Sequence, residues 1–295
     1  MSTVAVTGAN GYVGGVIAIA LQRAGWSVIE LSRTPSSRPA APGGAFRRFS
    51  LNERIEPAAL QGIDALVHCA YDFAPIDAEG IRRSNVDASL QLFNTARAAG
   101  VKRIIFISSM SAFEGCKSLY GQGKLAVEHE AGKLGLIIVR PGLVYGPAAM
   151  GMVGSLKKLG ALPLITPMVG MGKMCLYLAH QDDLGALVAR LLEANASTPG
   201  GPIIAANDQP RSLRQIVEIL AKADGKGKKI LFPIPSVALW AGLRTAEMLG
   251  VRIRLRSDSL TSLVNQDARP DFSATRLAGV PFRVFDVDAI SAARG

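Results

Sequence analysis

Tyr120 and Lys124, four residues apart in the run Tyr120-Gly121-Gln122-Gly123-Lys124, are the residues of this sequence best suited to moving a proton. On a helix that spacing brings both side chains to one face, where an ammonium lies near a phenol. A free tyrosine ionises near about pH 10 and is a poor base at neutral pH. A lysine charge beside it favours the phenolate and brings proton exchange into range. Shortly before the pair, Ile104 to Ile107 reads as a buried strand running into Ser108 and Ser109.

A second group of residues points to a phosphate. Ser2 to Val6 reads as a short strand, Thr7 to Gly14 as a glycine loop, and the stretch through Arg23 as a helix. In that order Gly8 permits the tight turn, Gly11 lets the backbone approach a pyrophosphate, and Gly14 lets helix and strand pack closely. Asn10, Tyr12 and Val13 complete the loop as cofactor-binding candidates, and the helix N-terminus offers N–H groups to the phosphates. The next strand, Ser27 to Leu31, ends in Ser32 and Arg33 rather than in a carboxylate that would meet a ribose 2′-hydroxyl. Arg33 can pair with a 2′-phosphate and Ser32 can donate to it, so NADP is the expected cofactor, with NAD possible.

These residues require a scaffold of parallel strands. Ala65 to Cys69, Arg103 to Ile107 and Leu136 to Val139 read as further buried strands, each preceded by helix-compatible sequence. The alternation predicts an α/β, doubly wound parallel Rossmann sheet, whose ligands sit beyond the carboxyl ends of the strands. Ala70, Ser109 and Pro141 occupy those positions. The expected organisation is a Rossmann domain over 1–148, continued by about 177–206. A smaller, interleaved lid and substrate-binding portion lies within 149–295.

The 295 residues carry a formal net charge of +10 and are 49% hydrophobic, which suits a globular enzyme with anionic partners. Basic residues are dispersed and lack aromatic interleaving, so no nucleic-acid role is expected. Cys69, Cys116 and Cys175 are far apart, with neither disulfide nor metal spacing, and suit a reducing cytoplasm. No metal is expected. His68 reads as a structural strand-end residue, and His180 with Asp182 and Asp183 as a helix start. No signal peptide or membrane span is indicated, and no membrane partner is expected. Val237 to Leu249 reads as an amphipathic helix whose apolar face packs into the core.

The TGxxGxxG loop, the serine after a strand and Tyr-x-x-x-Lys together resemble the short-chain dehydrogenase/reductase superfamily. Asp64 to Ala70, Asn85-Val86, Arg140 to Pro147 and His180 to Asp183 are similar to segments of its extended branch, which holds nucleotide-sugar epimerases, dehydratases and reductases. The resemblance covers about residues 1 to 222. It implies that Tyr120 exchanges a proton with the reacting hydroxyl, that Lys124 holds the nicotinamide ribose and tunes Tyr120, and that Ser109 hydrogen-bonds the substrate oxygen. Ser111 is an alternative to Ser109, and Asn85 has either a supporting role or that of a turn residue. A homodimer is an expectation of the family alone.

Toward the C-terminus, Met150 to Met174 is rich in Gly, Met and Pro and reads as a lid. Arg211-Ser212-Leu213 resembles the family's substrate-domain helix entry, with Ser212 as cap. Arg252, Arg254, Arg256, Arg276 and Arg283 could clamp a nucleotide diphosphate or line a solvated face. Leu143 and Val144 stand where epimerases of this kind carry a diphosphate-holding asparagine, and Ser50 where an acidic residue often meets adenine. The leading expectation is hydride transfer at a sugar carbon of a nucleotide-linked sugar, as epimerase or reductase. The alternatives are an NADPH-dependent carbonyl reductase acting on steroid-, flavonoid- or aldehyde-like substrates, and a redox sensor that binds NADP without turnover.

Overall fold

In the computed structural model the described residues are 2–36, 45–147, 151–162, 165–193, 200–227, 230–251 and 255–292. The chain runs β1 (Thr3–Thr7), α1 (Tyr12–Arg23), β2 (Ser27–Ser32), β3 (Ala45–Arg48), β4 (Ala65–His68), α2 (Ala78–Ile81), α3 (Ala88–Ala98), β5 (Arg103–Ile107), α4 (Leu119–Lys133) and β6 (Ile137–Pro141). It continues through β7 (Leu143–Tyr145), α5 (Gly151–Gly160), β8 (Ile165–Val169), β9 (Cys175–Leu176), β10 (Leu178–His180), α6 (Gln181–Leu192) and β11 (Ile203–Ala205). Last come β12 (Arg211–Ser212), α7 (Leu213–Ala223), β13 (Ile230–Ile234), α8 (Ser236–Met248), α9 (Ser257–Val264), α10 (Ser273–Ala278) and α11 (Val287–Ala292).

Seven parallel strands form the main sheet in the order β11-β6-β5-β4-β1-β2-β3. The order reverses at β1, which places a crevice beyond the carboxyl ends of β1 and β4. Strand alternation builds both faces at once. Val4 and Val6 of β1 and Ile105 and Ile107 of β5 face a core with α1 and α6. Ala5, Ile104 and Phe106 face the opposite core, with Leu92 and Phe93 of α3 and Val127 of α4. Continuous apolar strands are what two covered faces demand.

A third core joins α5, α7, α9 and α11 through Val153, Leu156, Ile216, Val217, Leu220, Leu263, Phe285 and Ile290. Its centre is α7, which buries Leu213, Ile216, Val217 and Leu220 at helical spacing and starts in the expected cap. Ser212 Oγ accepts the Gln215 N–H while Gln215 reaches back to Ser212 N, closing a capping box. The stretch 151–174, expected as a lid, folds into α5 and β8, and β8 pairs in parallel with β13. The expectation of core packing for residues 237–249 is not met. No side chain of α8 is buried, and Val237, Met248 and Leu249 stand in solvent, because α8 extends from a two-stranded ribbon instead of from the main sheet.

Candidate active site

At the end of β1, Thr7 Oγ1 accepts the N–H groups of Cys69 and Ala70, tying the carboxyl ends of β1 and β4 together. The approach is so close that a Cβ on Gly8, whose φ is +66°, would stand 2.9 Å from the Ala70 backbone. A Cβ on Gly14 would stand 2.3 Å from the Gly8 carbonyl oxygen. Both positions therefore need glycine. Gly11, exposed, is the N-cap of α1, and no side chain caps that helix. The N–H groups of its first turn, at Tyr12, Val13 and Gly14, precede the first intrahelical bond from Gly15 N to Gly11 O. This cradle fits a dinucleotide pyrophosphate in both shape and dipole sign.

Around this cradle each expected residue has a definite post. Asn10 donates to the Thr34 carbonyl at 2.6 Å, and Ser32 donates to the same oxygen at 2.8 Å. The pair fixes the turn from which the exposed Arg33 projects. In this arrangement the one hydroxyl hydrogen of Ser32 is given to Thr34. The Tyr12 phenol donates to Gln181 of α6, and burial, with Asp182 nearby, pushes it up to about 12. Pro141 closes β6 and its carbonyl accepts from Met110, holding the loop that carries Ser109.

At the end of β5, Ser108 and Ser109 part company. Ser108 is buried with its hydroxyl unpartnered, whereas Ser109 is hydrogen-bonded to the Tyr120 phenol. Burial pushes Tyr120 above its ordinary value and the Ser109 bond pulls it down. Lys124 is buried, donates to the Ile107 carbonyl at 2.8 Å, and lies over the rings of Phe106 at 4.7 Å and Tyr71 at 5.3 Å. Burial lowers it to about 8, against the opposing pull of Cys69 and Glu128. The expected depression of Tyr120 by the lysine is thus not the ruling effect: loss of hydration raises the phenol, and the opposing pull comes from Ser109. Glu128, one helical turn beyond Lys124, receives a two-pronged bond from Arg140 of β6 at 2.6–3.1 Å, which anchors α4 to the sheet.

Sequence reasoning missed the wall of this site. Tyr71 meets Tyr120 edge-on at 4.9 Å between ring centroids, and Phe73, 62% exposed, stacks on Tyr120 at 6.0 Å. Both follow β4, and the rule that strand ends carry ligands would have flagged them along with Ala70. Asn85 holds this wall from behind. It is buried in a π-helical turn (Arg82–Asp87), its Oδ1 accepting Asp72 N at 2.7 Å and its Nδ2 donating to Asp72 O at 3.0 Å. Its amide serves the loop backbone, so the supporting role fits and direct substrate contact does not. His68 is likewise structural: Thr7 and Ser89 bond its two ring nitrogens, and burial lowers it to about 3.

Of the other residues assigned to substrate, Ser111 receives a bond from Ser262 of α9 at 2.6 Å and donates its N–H to Ser109 Oγ. Arg211 donates to the Phe285 carbonyl, Arg283 to Asp183, and Arg256 to the carbonyls of Phe73 and Pro75. Arg276 is exposed on α10, against the edge strand β11. Arg252 and Arg254 lie outside the described residues. Among the described residues an arginine clamp for a diphosphate is therefore not assembled, because Arg256 and Arg283 already bind groups of the protein.

Comparison with known proteins agrees with this geometry. The chain is 31% identical over 197 residues to ceramide reductase of Caulobacter vibrioides (strain NA1000 / CB15N), a span of 63% of this chain and only 60% of that protein. It is 26% identical over 263 residues to cinnamoyl-CoA reductase 1 of Arabidopsis thaliana, covering 75% of this chain and 74% of that one. Among solved structures, MoeE5 in complex with UDP-glucuronic acid and NAD shares the fold, with a TM-score of 0.70 and 18% identity over 99% of this chain and 98% of that one. Residues 4–204 match the NAD dependent epimerase/dehydratase family, and the chain belongs to that family.

Proposed function

We propose that this chain is a carbonyl reductase whose substrate places an apolar or planar body beside the reacting carbonyl. The observation that carries the reading is the aromatic wall of Tyr71 and Phe73 against a tyrosine already paired with Ser109. The bare end of α1 would hold the pyrophosphate, Lys124 the nicotinamide ribose, and Arg33 a 2′-phosphate, which makes NADPH the preferred donor. When bound, the reduced nicotinamide supplies a hydride. Ser109 and Tyr120 would receive the carbonyl oxygen, and Tyr120 would pass it a proton as the carbon is reduced. Burial supports this direction, since a phenol held above its ordinary value is protonated at neutral pH and serves as an acid. Lys124 has donated one hydrogen to Ile107 and keeps two for ribose hydroxyls.

Two further facts favour this reading over the nucleotide sugar expected from the sequence. The guanidinium groups of Arg211, Arg256 and Arg283 have protein partners, and Leu143 and Val144 offer no amide to a diphosphate. Both sequence relatives are named as reductases. The test is to follow NADPH and NADH oxidation with apolar ketones, aryl aldehydes and acyl thioesters, and in parallel with UDP-, dTDP- and GDP-linked 4-keto sugars. Turnover confined to the first set supports the proposal. Turnover or interconversion confined to the nucleotide sugars overturns it.

A further inference from the structure

The helix that carries Tyr120 and Lys124 begins in an unusual setting. All three N–H groups of its first turn have side-chain partners, and two of them go to a residue 138 or 139 positions away. Asp258 of α9 accepts Leu119 N at 2.7 Å on one carboxylate oxygen and Tyr120 N at 3.0 Å on the other. Ser118 Oγ accepts the third, Gly121 N, at 3.1 Å. Gly121 sits so near the serine loop that a Cβ there would lie 2.2 Å from the Ser111 carbonyl oxygen.

The same short helix touches the other two parts of the site. Ser262 donates to Ser111, whose N–H in turn holds Ser109. Arg256, the N-cap residue of α9, donates to the carbonyls of Phe73 and Pro75, which carry the aromatic wall. Helix α9 is itself fixed by Glu247 of α8, which accepts both N–H and Oγ–H of Ser257 at 2.7 Å, and by burial of Leu260 and Leu263. One element thus grips the tyrosine helix, the serine loop and the wall.

We propose that α9 is a clasp that sets the mutual placement of Tyr120, Ser109 and Phe73, with Asp258 as the positioning residue for Tyr120. The inference deepens the reductase reading and rests on it for its kinetic consequences, but not for its physical ones. A two-oxygen grip on successive N–H groups fixes both the axial position and the rotation of the first turn, which one capping hydroxyl does not. Displacements of about 1 Å at a reacting group can lower turnover about a hundredfold. The carboxylate also offsets the positive end of α4 at the backbone of Leu119 and Tyr120. Lys124 shares the helix of Tyr120, and the neighbouring Tyr71, whose ring meets Tyr120, is raised by burial, Tyr120, Asp258 and Asp72 and lowered by Arg256.

The experiment uses the full chain with Asp258→Asn, which keeps the shape but leaves one N–H facing an NH2 group, and Ser262→Ala, which loosens the clasp without touching α4. In Asp258→Asn the expected outcome is a fall in kcat of about tenfold or more, with the NADPH dissociation constant changed less than about twofold. The Tyr120 phenol, followed as the ultraviolet titration lost in Tyr120→Phe, should ionise at lower pH than in the parent. Amide exchange at Leu119 and Tyr120 should quicken, and Ser262→Ala should show a smaller fall in kcat with the titration unmoved. A folded Asp258→Asn with parental kcat, titration and exchange overturns the clasp. If the parent turns over no carbonyl, the titration and exchange still decide the clasp, so the two proposals fail separately. Should Asp258→Asn not fold, parental kcat and parental exchange at Ser109 to Ser111 in Ser262→Ala overturn it.

Discussion

Two helices begin at the carboxyl edge of the same sheet, and their first turns are opposites. At α1 the N-cap is glycine and, among the described residues, no side chain caps the first turn at Tyr12, Val13 and Gly14. At α4 the equivalent groups of Leu119, Tyr120 and Gly121 are all taken, by Asp258 and Ser118. A positive helix end left open is a place for an anion, whereas one that is filled and neutralised is a support. The first end is built from backbone and needs only a local run of glycines. The second is built from side chains gathered across the chain, and it presents a phenol in place of a dipole.

Four substitutions or measurements would break or sharpen this contrast. Tyr120→Phe should lower carbonyl turnover by about 10²–10⁴-fold while NADPH binding, read by nicotinamide fluorescence, stays put. Equal losses of both would erase the division of labour between the two helix ends. Gly11→Asp would give α1 the kind of cap that α4 has. Binding of NADPH should weaken by about 10–100-fold while stability to urea falls by only about 1–2 kcal/mol, since the N-cap backbone is extended but a Cβ there would lie 3.1 Å from the Gly8 carbonyl oxygen.

Removal of Arg33 touches only the far rim of the open end. Arg33→Ala should weaken NADPH about tenfold and leave NADH nearly unchanged, a difference of about 1.4 kcal/mol. Loss of both cofactors alike would mean that Arg33 does not read the 2′-phosphate. The smallest effect is one of pH. Lys124 is held near 8 by burial, so its ammonium is present below that pH and is lost as pH rises through it. With Tyr120 remaining protonated, kcat/KM for reduction should decline a few-fold between about pH 7 and pH 9. A profile flat to pH 10 would show that the lysine charge has no part in turnover.

The open end was legible because everything that defines it is close in sequence. A strand, three spaced glycines and a helix announce the cradle. Tyr120 and Lys124 were legible for the same reason, as a spacing on one helix. The bond of Ser32 to a carbonyl two residues on was not legible, because such local hydroxyl bonding leaves no trace in composition. Phe73 was passed over because a single aromatic after a strand is common. Asp258 reads locally as part of the start of α9, and nothing near it names Leu119 as its partner. Likewise β3, with mostly exposed residues, lacks the apolar run by which β1, β2, β4, β5 and β6 were found. The arginines looked like a ligand clamp because charge reveals a residue's appetite for anions and carbonyls but not which one satisfies it.

The grip of Asp258 on α4 has a consequence for the order in which a newly made chain becomes an enzyme. The aspartate is added 139 residues after Leu119 and 138 after Tyr120. At ribosomal rates of about 5–20 residues per second, that is a delay of roughly 7 to 28 s. During that time the glycine cradle, whose parts are all made early, can already assemble. The nascent protein would then be a dinucleotide binder before it is a catalyst, and the cofactor would be the first ligand to meet it.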